Sequence, residues 1–141
     1  MGTSERWQLE TSPYREAVLE LAQSSPAFSG AQLKPEAREL LTFGVGEPAA
    51  ALAAEIERAP ANIRVVWREA PYSLAELIAE ANRVMSEQRG RINSISPRHD
   101  GTGLHITTTD RRLLEAPDPQ EALATRYPVA IEYEEIPIVT T

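Results

Sequence analysis

The chain has 141 residues and a formal net charge of −7, from 21 acidic against 14 basic side chains, with 42% hydrophobic and 25% charged residues. Such a composition suits an ordinary globular protein with a real core, as one domain or two small ones. The absence of cysteine excludes disulfides, thiolate zinc sites and a cysteine nucleophile, and the acidic balance speaks against nucleic acid as a partner. No apolar run approaches the roughly 18 residues of a membrane helix, and the first residues do not read as a signal peptide. As written, the chain is expected to be soluble, unanchored and, if complete, cytoplasmic. Thirteen of its 14 basic residues are arginines, a skew that matches a GC-rich coding bias.

Residues 1–26 read as a loose lead-in and a helix. Ser12 and Pro13 mark the helix start, with serine as cap and proline at the first helical position, and Tyr14, Val18, Leu21 and Ala22 share its apolar face. Residues 27–71 form a first unit. Extended runs at 28–33 and 40–45 flank a hairpin loop at 34–37, with Leu41, Phe43 and Val45 alternating toward one face. Gly46 to Pro48 open a helix carrying Ala49, Leu52, Ala53 and Ile56, and a half-buried strand follows at 63–68 with Ile63, Val65 and Trp67 on one side. Residues 72–90 are a long linking helix, started by a capping box of Ser73 and Glu76 with Tyr72 stapled to Leu77, striped by Leu74, Leu77, Ile78, Ala81 and Met85, and ended at Gly90.

Residues 91–141 repeat the plan. A strand at 91–96, a tight turn at His99-Asp100-Gly101, a strand at 104–109, a short helix capped by Asp118 and a strand through Val129, Ile131 and Tyr133 make a second strand-strand-helix-strand unit, with a tail from Ile136 onward. The expected fold class is α+β: two layers of duplicated β-β-α-β units, small antiparallel sheets covered by helices, plus an N-terminal helix and the long central helix.

Few side chains call for chemistry. His99 neighbours Asp100, and Ser94, Ser96, Thr107 and Thr109 share a hairpin with His99 and His105, but facing strands of one hairpin offer no oriented base or oxyanion site. Asp100-Gly101-Thr102-Gly103 has the letters of a phosphate turn, yet a strand follows where a helix N-terminus is needed. Glu132, Glu134 and Glu135, with Asp110 and Glu115, lack a ligand loop, so no metal and no cofactor are expected. Arg89, Arg91, Arg98, Arg111 and Arg112 concentrate charge around one end of the second sheet, as candidate ligands for a small anion or carboxylate. Trp67 and Tyr133 occupy corresponding apolar faces and are expected in the core. Ile136, Pro137, Ile138, Val139, Thr140 and Thr141 are apolar and β-prone, a segment able to extend the sheet or enter a partner's groove.

The run from Ile63 to Arg68 (Ile-Arg-Val-Val-Trp-Arg), continuing through Tyr72-Ser73-Leu74-Ala75-Glu76-Leu77, resembles the strand and helix start in pro-regions of bacterial chymotrypsin-like serine proteases of the streptogrisin and alpha-lytic type. The halves beginning Ala27-Phe28-Ser29-Gly30 and Ile92-Asn93-Ser94-Ile95 resemble the two hairpin-bearing subdomains of those pro-regions, and Leu104-His105-Ile106-Thr107 their second-hairpin strand. The likeness spans about residues 27–137 as a pattern. It implies a non-enzymatic protein that binds a serine protease as folding chaperone and inhibitor, with residues 136–141 in the protease cleft, and a secreted location once a signal peptide is removed. The rival expectation is a stand-alone domain binding a small molecule or anion through the five arginines.

Overall fold

The computed structural model describes residues 2–135. The elements in chain order are α1 (Thr3–Gln23), β1 (Phe28–Lys34), β2 (Glu39–Gly44), α2 (Ala50–Glu57), β3 (Arg64–Glu69), α3 (Leu74–Glu87), β4 (Ser94–Pro97), β5 (Leu104–Thr108), α4 (Arg111–Leu114), α5 (Pro119–Ala122) and β6 (Val129–Tyr133), with a 3-10 turn at Pro35–Ala37 between β1 and β2. Helices and two three-stranded sheets make the chain an α+β protein, and the contacts divide it into two compact units, Met1–Ala75 with His99–Gly101, and Glu76–Arg98 with Thr102–Thr141. The division falls inside α3.

The two sheets have one plan. In the first the order is β1-β2-β3, with β1 antiparallel and β3 parallel to the central β2. In the second the order is β4-β5-β6, with β4 antiparallel and β6 parallel to β5. The expectation of antiparallel sheets is corrected to mixed ones. The reason lies in the crossovers: a hairpin joins the first two strands of each unit, whereas the third returns through helical segments at 45–63 and 109–128, and that length lets a strand pair in parallel.

In unit 1 the core lies under α1 and α2. Trp7, Val18, Ala22, Phe28, Leu40, Leu52, Ile63 and Val65 pack as one cluster, joined at its margin by Tyr14, Leu33, Trp67 and Leu74. The loose lead-in is overturned, since α1 begins at Thr3 and runs through Pro13. Proline removes the N–H that would reach the Leu9 carbonyl, and the helix continues there on an exposed stretch, Leu9 itself being 62% exposed. The turn before Pro13 is also tied: the Trp7 indole donates to the Asn62 carbonyl at 2.5 Å, the Thr11 hydroxyl to the Trp7 carbonyl at 2.8 Å, and the Arg15 guanidinium to the Gln8 carbonyl at 2.7 Å. The Tyr14 hydroxyl donates to the Glu55 carbonyl at 2.6 Å, and burial, with Glu55 adding to it, raises that phenol above its ordinary pKa.

β2 is buried on both faces. Leu40 enters the helical core, while Leu41 and Phe43 join Ala70 and Val66 on the far side. That side is covered within the unit by the segment His99–Gly101. Its His99 ring stands edge-on to Phe43, centroids 6.0 Å apart, and His99 Nε2 lies 3.2 Å from Gln32 Oε1. Close approach is possible because Gly30 and Gly101 have no side chain: a Cβ on Gly101 would stand 2.6 Å from the Ser29 Cβ and 2.7 Å from the Ala70 Cβ.

Unit 2 has a core of Val84, Ile92, Ile106, Leu113 and Leu123, flanked by Met85, Ile95, Val129 and Ile131. The strongly amphipathic α3 supplies Val84 and Met85, while Ile78, expected in its apolar stripe, is exposed. The crossover holds two short helices rather than one. Asp110 caps α4 by accepting from the Arg112 amide at 2.9 Å, and Asp118 caps α5 by accepting from the Glu121 amide at 3.3 Å.

Candidate functional site

The five arginines do not form one cluster. Arg98 follows β4 at the turn end of the hairpin, its amide bonded to the Gly103 carbonyl at 2.8 Å, whereas Arg111 and Arg112 follow β5 at the opposite end. Roughly 13 Å of strand separates the two groups, at 3.3 Å per residue. Arg91 sits with the second group but is committed to structure: its guanidinium reaches Asp110 at 3.5 Å, the Gln88 side chain at 3.0 Å and the Ala122 carbonyl at 3.4 Å. Arg111 lies over the Tyr133 ring, 4.9 Å from its centroid. Arg89 and Arg112 are exposed, and Arg89 makes a backbone bridge to Ile92.

Chemically active side chains do meet on the outer face of the second sheet, since every second residue of a strand points the same way. Ser94 is the register partner of Thr107, Ser96 of His105, His105 of Ala130, and Thr107 of Glu132. The Ser94 and Thr107 hydroxyls bond each other at 2.5 Å, and His105 Nε2 lies 3.2 Å from Glu132 Oε2. The imidazole and carboxylate are 41% and 68% exposed, so water screens the pair. His99 is engaged elsewhere, on Gln32 and Phe43 in unit 1. The histidines and hydroxyls named from the sequence are therefore split between two surfaces. The turn through Asp100 leads, through Gly101 and Gly103 with positive φ, into β5 rather than a helix. Among the described residues no group of three or more His, Asp or Glu side chains gathers as metal ligands would, and no helix is long and apolar enough to cross a membrane.

β6 is an edge strand, with β5 as its single neighbour among the described residues. Val129 and Ile131 face the core, while Glu132 and Tyr133 are exposed, Tyr133 at 38%. The expectation of a buried Tyr133 is thus corrected: it lies at the strand end, where Arg111, the first residue of α4, lies over its ring. Trp67, its counterpart, is half-buried against the first core, and its indole donates to the Gly46 carbonyl at 2.9 Å. The ladder carries on to Glu134, whose amide donates to the Thr108 carbonyl at 2.9 Å. The candidate partner segment Ile136 to Thr141 lies outside the described residues.

One polar network escaped the sequence reading. Glu80 on α3 receives a forked pair of hydrogen bonds from Arg83, at 2.6 and 2.9 Å, and a third from the Thr125 hydroxyl at 2.5 Å. Arg83 also reaches the Glu87 carboxylate at 2.6 Å and the carbonyl of Ala124 at 2.8 Å. Ala124 has φ +52, a left-handed geometry that this grip helps to hold. The Arg83 hydrogen bonds keep the Glu80 carboxyl below its ordinary pKa against the opposing pull of burial, with Thr125 and the charges of Arg83 and Arg126 adding to them. Glutamate and arginine three apart on a helix mark a pair, but only folding brings Thr125 to it.

Two grooves of similar make-up lie on the helical sides. In unit 1, Ala17, Glu20, Leu21 and Ser24 of the α1 end and Glu55 of α2 line about 420 Å³. In unit 2, Ala116, Pro117, Asp118, Glu121 and Ala122 line about 390 Å³. Comparison with protein-family models, with curated proteins and with solved structures returned no match.

Proposed function

We propose that this chain is a protein-binding module that adds a partner's strand to the free edge of β6 and places residues 136–141 in the partner's cleft, and that the partner is a chymotrypsin-like serine protease. The observation that carries the reading is the place of β6: a strand at the sheet edge, with exposed Glu132 and Tyr133, whose chain continues directly into the apolar residues 136–141. Strand addition takes affinity from main-chain hydrogen bonds and selectivity from alternate side chains. The duplicated β-β-α-β plan is consistent with the subdomain pattern that suggested a protease pro-region, and the division of the five arginines between two ends of the sheet weakens the anion-binding alternative. Inhibition of a bacterial chymotrypsin-like protease, titrated with the full chain and with a chain ending at Glu135, tests the reading. Stoichiometric inhibition by the full chain, lost on truncation while circular dichroism stays unchanged, is the expected result. No inhibition across a panel of such proteases overturns the protease partner, and inhibition that survives truncation overturns the role of the tail.

A further inference from the structure

The α1–α2 groove holds about 420 Å³ and is lined by both apolar and acidic residues. Ala17, Glu20 and Leu21 lie three and four residues apart, on one face of α1. Its lining combines the apolar Ala17 and Leu21 with the acidic Glu20 and Glu55, which come from two helices. The Glu20 carboxylate has no ion pair or hydrogen bond among the described residues. Glu55 has Arg58 at 4.0 Å, a contact whose arginine is 74% exposed and is easily displaced. The backbone at this rim is fixed, because the Tyr14 hydroxyl is bonded to the Glu55 carbonyl.

We propose that the α1–α2 groove docks a basic peptide segment, one arginine or lysine of which lays its aliphatic stem on Ala17 and Leu21 and its cationic head between Glu20 and Glu55. Long basic side chains bury their stems on apolar surface while the head stays polar, and a net charge of −7 favours approach of such a segment. This site draws on none of residues 129–141, so it stands or falls apart from the strand-addition reading.

The test is a titration of the isotope-labelled full chain with an acetylated, amidated tetra-arginine peptide, followed by amide chemical shifts without any protease present. The largest shifts are expected at residues 17–24 and 53–58, exceeding those at the exposed Glu132, Glu134 and Glu135, with affinity falling as salt rises. Glu20→Gln combined with Glu55→Gln should weaken binding about tenfold, the effect of two screened charge pairs. Ala17→Lys, an exposed helical change that puts a cation in the groove, should do the same. The proposal is overturned if millimolar peptide moves no amide in the groove, if the shifts spread evenly over the acidic surface, or if both variants bind like the parent.

Discussion

Replacing Gly30 by alanine puts a methyl group where the His99 backbone now lies. The new Cβ would stand 3.0 Å from the His99 Cα, 2.7 Å from its carbonyl carbon and closer still to its oxygen, where carbon atoms in contact prefer about 3.5–4.0 Å. The obstacle is backbone on both sides, so no side-chain rotation relieves it. Either β1 or the segment His99–Gly101 must shift by roughly 1 Å, and forced overpacking of that kind costs about 1–3 kcal/mol. Two further glycines separate sterics from conformation. Gly90 has φ +87 and open space around it, so Gly90→Ala carries the left-handed penalty alone, about 1–2 kcal/mol. Gly2, the α1 N-cap, has φ −71 and nothing within 4 Å, so Gly2→Ala meets neither clash nor left-handed strain and should lose only the cap preference of glycine over alanine, about 0.5 kcal/mol. Urea unfolding followed by circular dichroism ranks the three. In Gly30→Ala the amide signals of His99 and Phe43 should also move. A Gly30→Ala protein as stable as Gly2→Ala, with those amides unmoved, would refute the placement of His99 against β1.

Glu80→Gln should cost about 1–3 kcal/mol, since it weakens charge-assisted bonds from Arg83 and offers the donating Thr125 hydroxyl a weaker acceptor. The folded carboxyl titrates below its ordinary value, so its contribution is complete above that value, near 4.5, and is lost as pH falls through the lowered one; the parent's advantage in urea should be flat at neutral pH and shrink in acid. An advantage that grows in acid would contradict the network. Asp110→Ala removes the α4 cap and one partner of Arg91, and about 1 kcal/mol should be lost by the same measurement. His105→Ala and Glu132→Ala should each stay within about 0.5 kcal/mol of the parent, because their pair is exposed; a larger loss would show that the outer face of the second sheet is not simply solvated.

Much of this architecture is legible in the sequence because hydrophobic periodicity marks strands and helices. The strands lie within a few residues of the places predicted for them, and the Asp118 cap forms as expected. The misses have physical causes. Proline after serine reads as a helix start, but Trp7, Thr11, Val18 and Ala22 already fall on one helical face, and burial of that face carries α1 across Pro13. The parallel third strands follow from the crossover helices, which the sequence pattern marks, so the strand sense is available from connectivity. β2 reads as a one-faced strand because alternation cannot show that a distant turn covers its other side. The candidate sites were less legible still. Arg91 looks free in the sequence and is bound by Gln88, Asp110 and Ala122 only once the chain folds.

The two sheets share one plan but differ in how their central strands are buried. Both faces of the central strand β2 are buried, Leu40 on one side and Leu41 and Phe43 on the other, while exposed residues of the first sheet lie on its outer strands, Gln32 on β1 and Arg64, Arg68 and Glu69 on β3. β5 alternates, burying Leu104, Ile106 and Thr108 while His105 and Thr107 stay half-exposed beside Ser94, Ser96 and Glu132. An exposed edge beside such a face invites pairing with further copies of the same chain, and proteins prevent this with charge on the edge strand. Here Glu132, Glu134 and Glu135 supply it, all exposed at the end of β6. Two copies pairing edge to edge would bring these carboxylates together, whereas a partner strand carrying lysine or arginine would meet them favourably. On the proposed strand-addition reading, the acidic end of β6 would select against self-association and for a basic partner strand. The triple variant Glu132→Gln, Glu134→Gln, Glu135→Gln should dimerise at concentrations where the parent sediments as a monomer, and a variant that stays as monomeric as the parent would refute the guarding role of these residues.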